Sequence, residues 1–291
     1  MNLQLEIDAF QLGEVDDLAA LFSLDEQVLD APITIKQGQA LRHFSFSQQE
    51  FAKLGQLKLD ADAIFVLLPE SRLEPAKAQA YQELVEILPS LQQCKKVYLF
   101  PYGRCAMQLA LRHALKLIQQ RQVSDIQVLA YHQDPRLKPN SNIAATSSIA
   151  SQCFMAVRLY AARTGLSVPW ASYEVQTPDK SAVATIAALL QRYQVQCGEA
   201  LTQCYLPISL EEELKAAWLT AFQCFSGCLN NRSQVVFADA RVGDLAACSG
   251  LFKLCHMVTH YQRKEHTGVS FQLDISDKTY RSAFSKAQIS Q

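Results

Sequence analysis

The sequence predicts an α/β fold made of two copies of one unit, and three observations carry that expectation. Strand-like and helix-like runs alternate along the chain, the signature of a sheet covered by helices. The run KKVYLFP (95–101), a turn at Gly103, a long apolar helix from Arg104 to Gln120 and the strand DIQVLAYH (125–132) then recur in the same order. The second set is SQVVFAD (233–239), Gly243, the helix Asp244 to Tyr261 and GVSFQLDI (268–275). The helix from Arg104 is apolar around more than half its circumference, with Ala106, Met107, Leu109, Ala110, Leu111 and Ala114 among its residues, so it belongs between layers rather than on a surface.

Taken in order, MNLQLEIDA reads as a first strand and VDDLAALF (15–22) as a short helix, while residues 26–60 give no assignable pattern. DAIFVLLPE (62–70) is a continuous apolar run that fits a buried strand. Glu74 to Leu91 has helical amphipathicity, with Pro75 in the first turn, where its missing N–H costs nothing. After the repeated strand, helix and strand, SSIASQCFMAVRLYA (147–161) closes the first half. The second half opens on the strand VPWASYEV (168–175). Asp179 is then expected to cap a helix running to about Tyr193, followed by the strand LTQCYLPI (201–208). Ser209 is expected to cap a helix to about Leu229, with Glu211, Glu212 and Glu213 in its first turn, where the macrodipole favours anions. TYRSAFSK (279–286) is the last strand, which makes the order of this half βαβαβαββ. The halves run from about 1 to 162 and from about 163 to 291. Each needs the other to cover its apolar helix, so the expectation is one domain.

Composition narrows the partners. With 291 residues, 49% hydrophobic and 19% charged, the chain can bury one large core. No run reaches the ~18 to 20 apolar residues that cross a bilayer, and the first residues lack the basic start of a signal peptide. A cytoplasmic location is therefore expected. Nine cysteines, an odd number, suit a reducing compartment where free Cys packs as a small hydrophobe. The net charge of -1, with both signs interspersed, leaves no footprint for nucleic acid or an anionic membrane. There is neither a phosphate-cradling glycine loop nor a serine-nucleophile elbow.

GRCAMQLALRHAL (103–115) resembles the segment that carries the nucleophilic Cys of ketoacyl synthases, and VGDLAACSGLFKL (242–254) resembles that family's glycine, histidine, leucine segment and the small-residue helix after it. Together with the element order over roughly 62–286, the chain resembles the thiolase-fold proteins, most closely the ketoacyl synthases. The resemblance implies a duplicated five-layer αβαβα fold with the two apolar helices in the middle layer. It also implies a homodimer formed through the strand KKVYLFP.

The resemblance implies a site that has lost parts. A condensing enzyme needs a Cys at a buried helix N-terminus and two side chains that hold the thioester carbonyl and the departing carboxylate. Cys105 stands at the nucleophile position, as a candidate or vestigial nucleophile, flanked by Gly103 and Arg104. Asp244, after Gly243, stands where the family has one His, and an anion there would repel a thiolate. PISLEEE (207–213) has no His at the other expected place, and ISDKTYRS (275–282) replaces the family's glycine-rich turn. The plainer reading of Cys105 is a packing or vestigial residue, and that of Asp244 an acidic first-turn residue or the partner of Arg104 across the two repeats.

The leading expectation is a non-catalytic thiolase-fold binding or assembly protein with a protein partner, resembling the degenerate thiolase-like proteins of type VI secretion loci. It would need no cofactor. The alternative is an acyltransferase that accepts an acyl group on Cys105 from a coenzyme A or carrier-protein thioester. Cys255, His256, His260 and His266 cluster within twelve residues, with His256 and His260 on one helix face. A metal site there lacks a third ligand at a diagnostic spacing, and the plainer reading is a surface helix end whose histidines favour the negative dipole. Cys197, Cys204, Cys224 and Cys228 lack the short paired spacing of a zinc site and are expected as buried free thiols.

Overall fold

The computed structural model describes residues 2–23, 31–36, 38–71, 73–138, 141, 149–207 and 211–289. The first half contains strands β1 (Asn2–Leu12), β2 (Ile33–Lys36), β3 (Gln39–Phe44), β4 (Ala63–Leu67), β5 (Val97–Phe100), β6 (Asp125–Gln133) and β7 (Ala150–Ala162). Its helices are α1 (Leu18–Phe22), α2 (Gln48–Leu54), α3 (Glu74–Ile87) and α4 (Ala106–Gln119). The second half contains β8 (Gly165–Val175), β9 (Leu201–Tyr205), β10 (Gln234–Val236), β11 (Val269–Ile275) and β12 (Tyr280–Ile289), with α5 (Ala182–Gln196), α6 (Glu212–Phe222) and α7 (Ser249–Gln262).

The duplication holds for five strands of each half, with β2 and β3 off the main strand order. The first half is ordered β5-β4-β6-β7-β1 and the second β10-β9-β11-β12-β8; the two lines meet at β1 and β8, which pair at Leu3 and Leu166. In each line the middle strands are parallel and the last two antiparallel, as β4 with β6 and β6 with β7 show, and as β9 with β11 and β11 with β12 repeat. The central core joins β4, β6, β7, α4, α7 and β12. Separate apolar clusters cover the outer faces, one built on α2 and α3 and one on α5 and α6. This is the expected αβαβα sandwich with α4 and α7 in its middle.

Two glycines make that centre possible. Gly243 has φ +77, and a Cβ there would stand 2.4 Å from the Ile149 carbonyl oxygen. A Cβ on Gly250, in the first turn of α7, would stand 2.9 Å from the Arg104 carbonyl oxygen and 3.0 Å from Met107 Cβ, so the two central helices touch where α7 has no side chain.

Several local expectations are corrected. Ser181, not Asp179, caps α5, because its hydroxyl reaches the Ala184 N–H. Ser209 lies outside the described residues, and α6 ends at Phe222, continuing to Cys228 as a 3-10 turn. The strand expected over 233–239 is only Gln234–Val236. Residues 31–36 and 38–60, which gave no pattern, form a β2–β3 hairpin and α2, whose Ser47 and Glu50 make a reciprocal capping box. The helix expected from Asp244 starts only at Ser249, after a 3-10 turn at Ala246–Cys248. Among the described residues, no helix is long and apolar enough to cross a membrane.

Candidate functional site

Gly103, Arg104 and Cys105 form a 3-10 turn that feeds α4, with Gly103 at φ +57 and Cys105 as the N-cap. Its counterpart in the second half is Cys248, the N-cap of α7 in the same αR conformation. Asp244 is therefore outside the helix, where its carboxylate accepts from the Ala246 N–H at 2.8 Å and starts the turn. Its role as a first-turn helix residue is corrected accordingly.

The expected pair across the repeats is present. Arg104 Nη2 donates to Asp244 Oδ2 at 2.6 Å, and Nη1 donates to Asp277 in the β11–β12 turn. The guanidinium is buried, whereas both carboxylates keep water contact, so the pair links interior to surface. Burial alone would lower the Arg104 pKa, but Asp244 and Asp277 together hold it above its ordinary value.

Cys105 is fully buried. Its thiol faces two backbone acceptors, the Asp274 carbonyl at 3.2 Å and the Tyr280 carbonyl at 3.3 Å. Burial, followed by the charge of Asp274, pushes the thiol up to about 12; Arg281 pulls the other way without reversing it. The carboxylate acting on this sulfur is thus Asp274 rather than Asp244. A cavity lined by Phe100, Tyr102, His113, Tyr173 and Tyr280 does not have Cys105 in its wall. Tyr102 and Tyr280 there form an edge-to-face pair with centroids 4.7 Å apart.

Glu70, three residues beyond the end of β4, was not singled out from the sequence. Its carboxylate accepts from the Lys278 and Thr279 N–H groups, each at 2.9 Å, and from the hydroxyls of Ser276 and Thr279. The Lys278 and Thr279 backbone donors of the β11–β12 turn are therefore already engaged by an anion. His132, at the end of β6, is lowered by burial and has an Nε2 with no partner among the described residues.

A charged network in the central layer was also missed. Lys253 Nζ donates to Asp274 Oδ1 at 3.0 Å and stands 3.9 Å from Asp239, which accepts from Ser249 at 2.8 Å. Gln272 donates to Asp274 at 2.6 Å and accepts from Lys286 at 2.7 Å. Asp274, Gln272 and Lys286 sit on β11 and β12, which are covered on both faces, so no alternation of polar and apolar residues marked them in the sequence.

The histidine cluster is not a surface helix end. Tyr205 Oη lies 2.9 Å from His256 Nδ1 and 2.8 Å from His266 Nε2, while His260 pairs with Glu265. Burial, then the neighbouring imidazoles, pushes His256 down to about 3, so it stays neutral. Among the described residues, no group of three or more His, Cys, Asp or Glu is placed to hold a metal. All nine cysteines are free; Cys204 and Cys228 are buried as expected, whereas Cys197 is half-buried and Cys224 is exposed.

These features define a duplicated α/β protein with a buried cysteine at the start of one central helix and a buried arginine tied to two carboxylates beside it. No family model and no curated protein matches the chain. Solved structures do. The ketosynthase from module 6 of the bacillaene synthase from Bacillus subtilis 168 superposes with TM-score 0.67 at 6% identity, covering 100% of this chain and 72% of that one. A type II polyketide ketosynthase, AntDE, in complex with its acyl-carrier protein AntF, superposes at 0.62 with 11% identity over 99% of this chain and 100% of that one. The ishigamide ketosynthase/chain length factor superposes at 0.61 with 12% identity over 98% and 99%. The chain has the thiolase-like fold of the ketosynthases, and at these identities the likeness is one of fold.

Proposed function

We propose that this thiolase-fold chain is a non-catalytic binding or assembly protein that works through a protein partner, in keeping with its resemblance to the degenerate thiolase-like proteins of type VI secretion loci. One observation carries the reading: the Cys105 thiol is fully buried and faces two backbone carbonyls. A nucleophile needs the opposite environment, a lowered pKa and access to the thioester. The surrounding donors support the same reading. Arg104 is held by two carboxylates, and the N–H groups of Lys278 and Thr279 are held by Glu70, so none is free to steady a developing oxyanion. Each such donor lost costs on the order of 10²-fold in rate.

The partner acts on the outer surface in this reading. β5 is one end of the strand order and leaves Leu99 45% exposed, and that edge is where a second copy of the chain would pair. The deciding experiment is intact mass spectrometry after incubation with acyl-coenzyme A and acyl-carrier thioesters, with Cys105→Ala as control. No adduct on the wild type is the expected result. Acylation that vanishes in Cys105→Ala overturns the proposal and restores the acyltransferase.

A further inference from the structure

A cavity of about 540 Å³ opens where the two halves meet, walled by the end of β5, one face of α4, the end of β8 and the start of β12. Arg104, Cys105 and Asp244 are not in its wall. Its bed is aromatic. Tyr102 and Tyr280 meet edge to face with centroids 4.7 Å apart, and Phe100 lies 6.4 Å from Tyr102. Tyr173, 42% exposed, adds a further ring to the wall. Aromatic rings favour a flat partner packed offset or edge-on, and the volume is that of small-molecule sites.

The charge in the cavity has one sign. Arg112 and Lys116, one turn apart on α4, both line it, and no carboxylate does. Like charges at that spacing repel and weaken a helix, a cost that an anion between them would relieve. Among the described residues neither side chain forms an ion pair. The Arg112 guanidinium instead lies over the Tyr173 ring, 5.4 Å from its centroid. Stacking occupies the face of the guanidinium and leaves its in-plane N–H donors for a planar carboxylate. His113 adds no charge above pH 7, because burial, then Lys116, lowers its pKa. Recognition of an anion therefore falls to Arg112, whose side chain stays protonated in proteins, and to the exposed Lys116 ammonium.

We infer that this cavity binds a small aromatic monocarboxylic acid, its ring among Phe100, Tyr102 and Tyr173 and its carboxylate between Arg112 and Lys116. The inference goes beyond the role assigned to Cys105 and does not depend on it, since that thiol is outside the wall.

The test is titration calorimetry of the full chain with 2-naphthoate, with 2-naphthalenemethanol, which keeps the ring and loses the charge, and with octanoate, which keeps the charge and loses the ring. The aromatic acid should bind, and the other two at least about tenfold more weakly. The double variant Arg112→Gln with Lys116→Gln should weaken 2-naphthoate by a similar factor. Lys95→Gln with Lys96→Gln, exposed cations before β5 that do not line the cavity, should leave it unchanged. Equal affinity for acid and alcohol, octanoate as tight as 2-naphthoate, undiminished binding in the folded Arg112 and Lys116 variant, an equal loss in the Lys95 and Lys96 variant, or no binding of 2-naphthoate overturns the inference. Circular dichroism confirms that each variant is folded. Should the Arg112 and Lys116 variant fail to fold, the comparison of the three ligands on the wild type still decides.

Discussion

At Cys105 two effects oppose each other. The residue sits at the start of α4, where a helix dipole favours a thiolate, yet burial and Asp274 outweigh that and push the thiol up to about 12. At neutral pH the thiolate should be about 10³-fold scarcer than for an ordinary thiol. Iodoacetamide on the native protein should therefore modify exposed Cys224 first and leave Cys105 unlabelled until denaturation, as read by peptide mapping. Early labelling of Cys105 would contradict the burial. Arg104 poses a different balance. Removing the guanidinium leaves Asp244 and Asp277 able to rehydrate, with side chains 38% and 53% exposed, whereas neutralising both acids strands a buried cation. The double variant Asp244→Asn with Asp277→Asn should thus lose more stability than Arg104→Met, by ~3 kcal/mol in urea unfolding against a smaller loss. The Arg104–Asp244 pair was legible as a possibility because the repeat places both residues beside glycine turns. Asp277 and Glu70 were not legible, since their partners are 173 and 206 or more residues away.

At the scale of elements, α4 and α7 depend on each other for close approach. Gly250→Ala should destabilise by ~1 to 3 kcal/mol in chemical denaturation, because the Arg104 carbonyl lies on backbone that cannot step aside. Unchanged stability would mean the helices separate without cost. The small residues at the start of α7 marked this contact in the sequence. The helix start itself did not follow, because Ala246 takes φ +41 and interrupts the run from Asp244. The β2–β3 hairpin escaped because Ile33 and Ile35 are 59% and 73% exposed, so no buried face imprinted a period of two on that segment.

Across the whole molecule, the central layer carries ionisable groups in the dry core. Burial is the main reason that Lys286 is pushed from 10.5 to about 7; Asp274 acts against it and Lys253 with it. Between those pH values the unfolded chain holds a proton that the folded chain lacks, so stability should rise with pH, by at most about 1.4 kcal/mol per pH unit from this group. Below pH 7 both states are protonated and the contribution is flat. Urea midpoints from pH 6 to 9 should show the rise in the wild type and its loss in Lys286→Met. Assembly is read at the same scale. If β5 pairs with its copy, Leu99→Lys should yield monomers in sedimentation velocity, and a wild type that is already monomeric refutes the pairing.

Outside residues 26–60, the order of strands and helices, the duplication, and the placing of α4 and α7 in the middle layer followed from the sequence alone, because burial of an element writes itself into local periodicity and composition. The state of the candidate site did not. Whether Cys105 is reachable, which carboxylate faces it, how Glu70 occupies the β11–β12 turn and how His256 and His266 close onto Tyr205 all depend on contacts between distant segments. Local pattern records how much of an element is covered; only the tertiary structure decides what covers it.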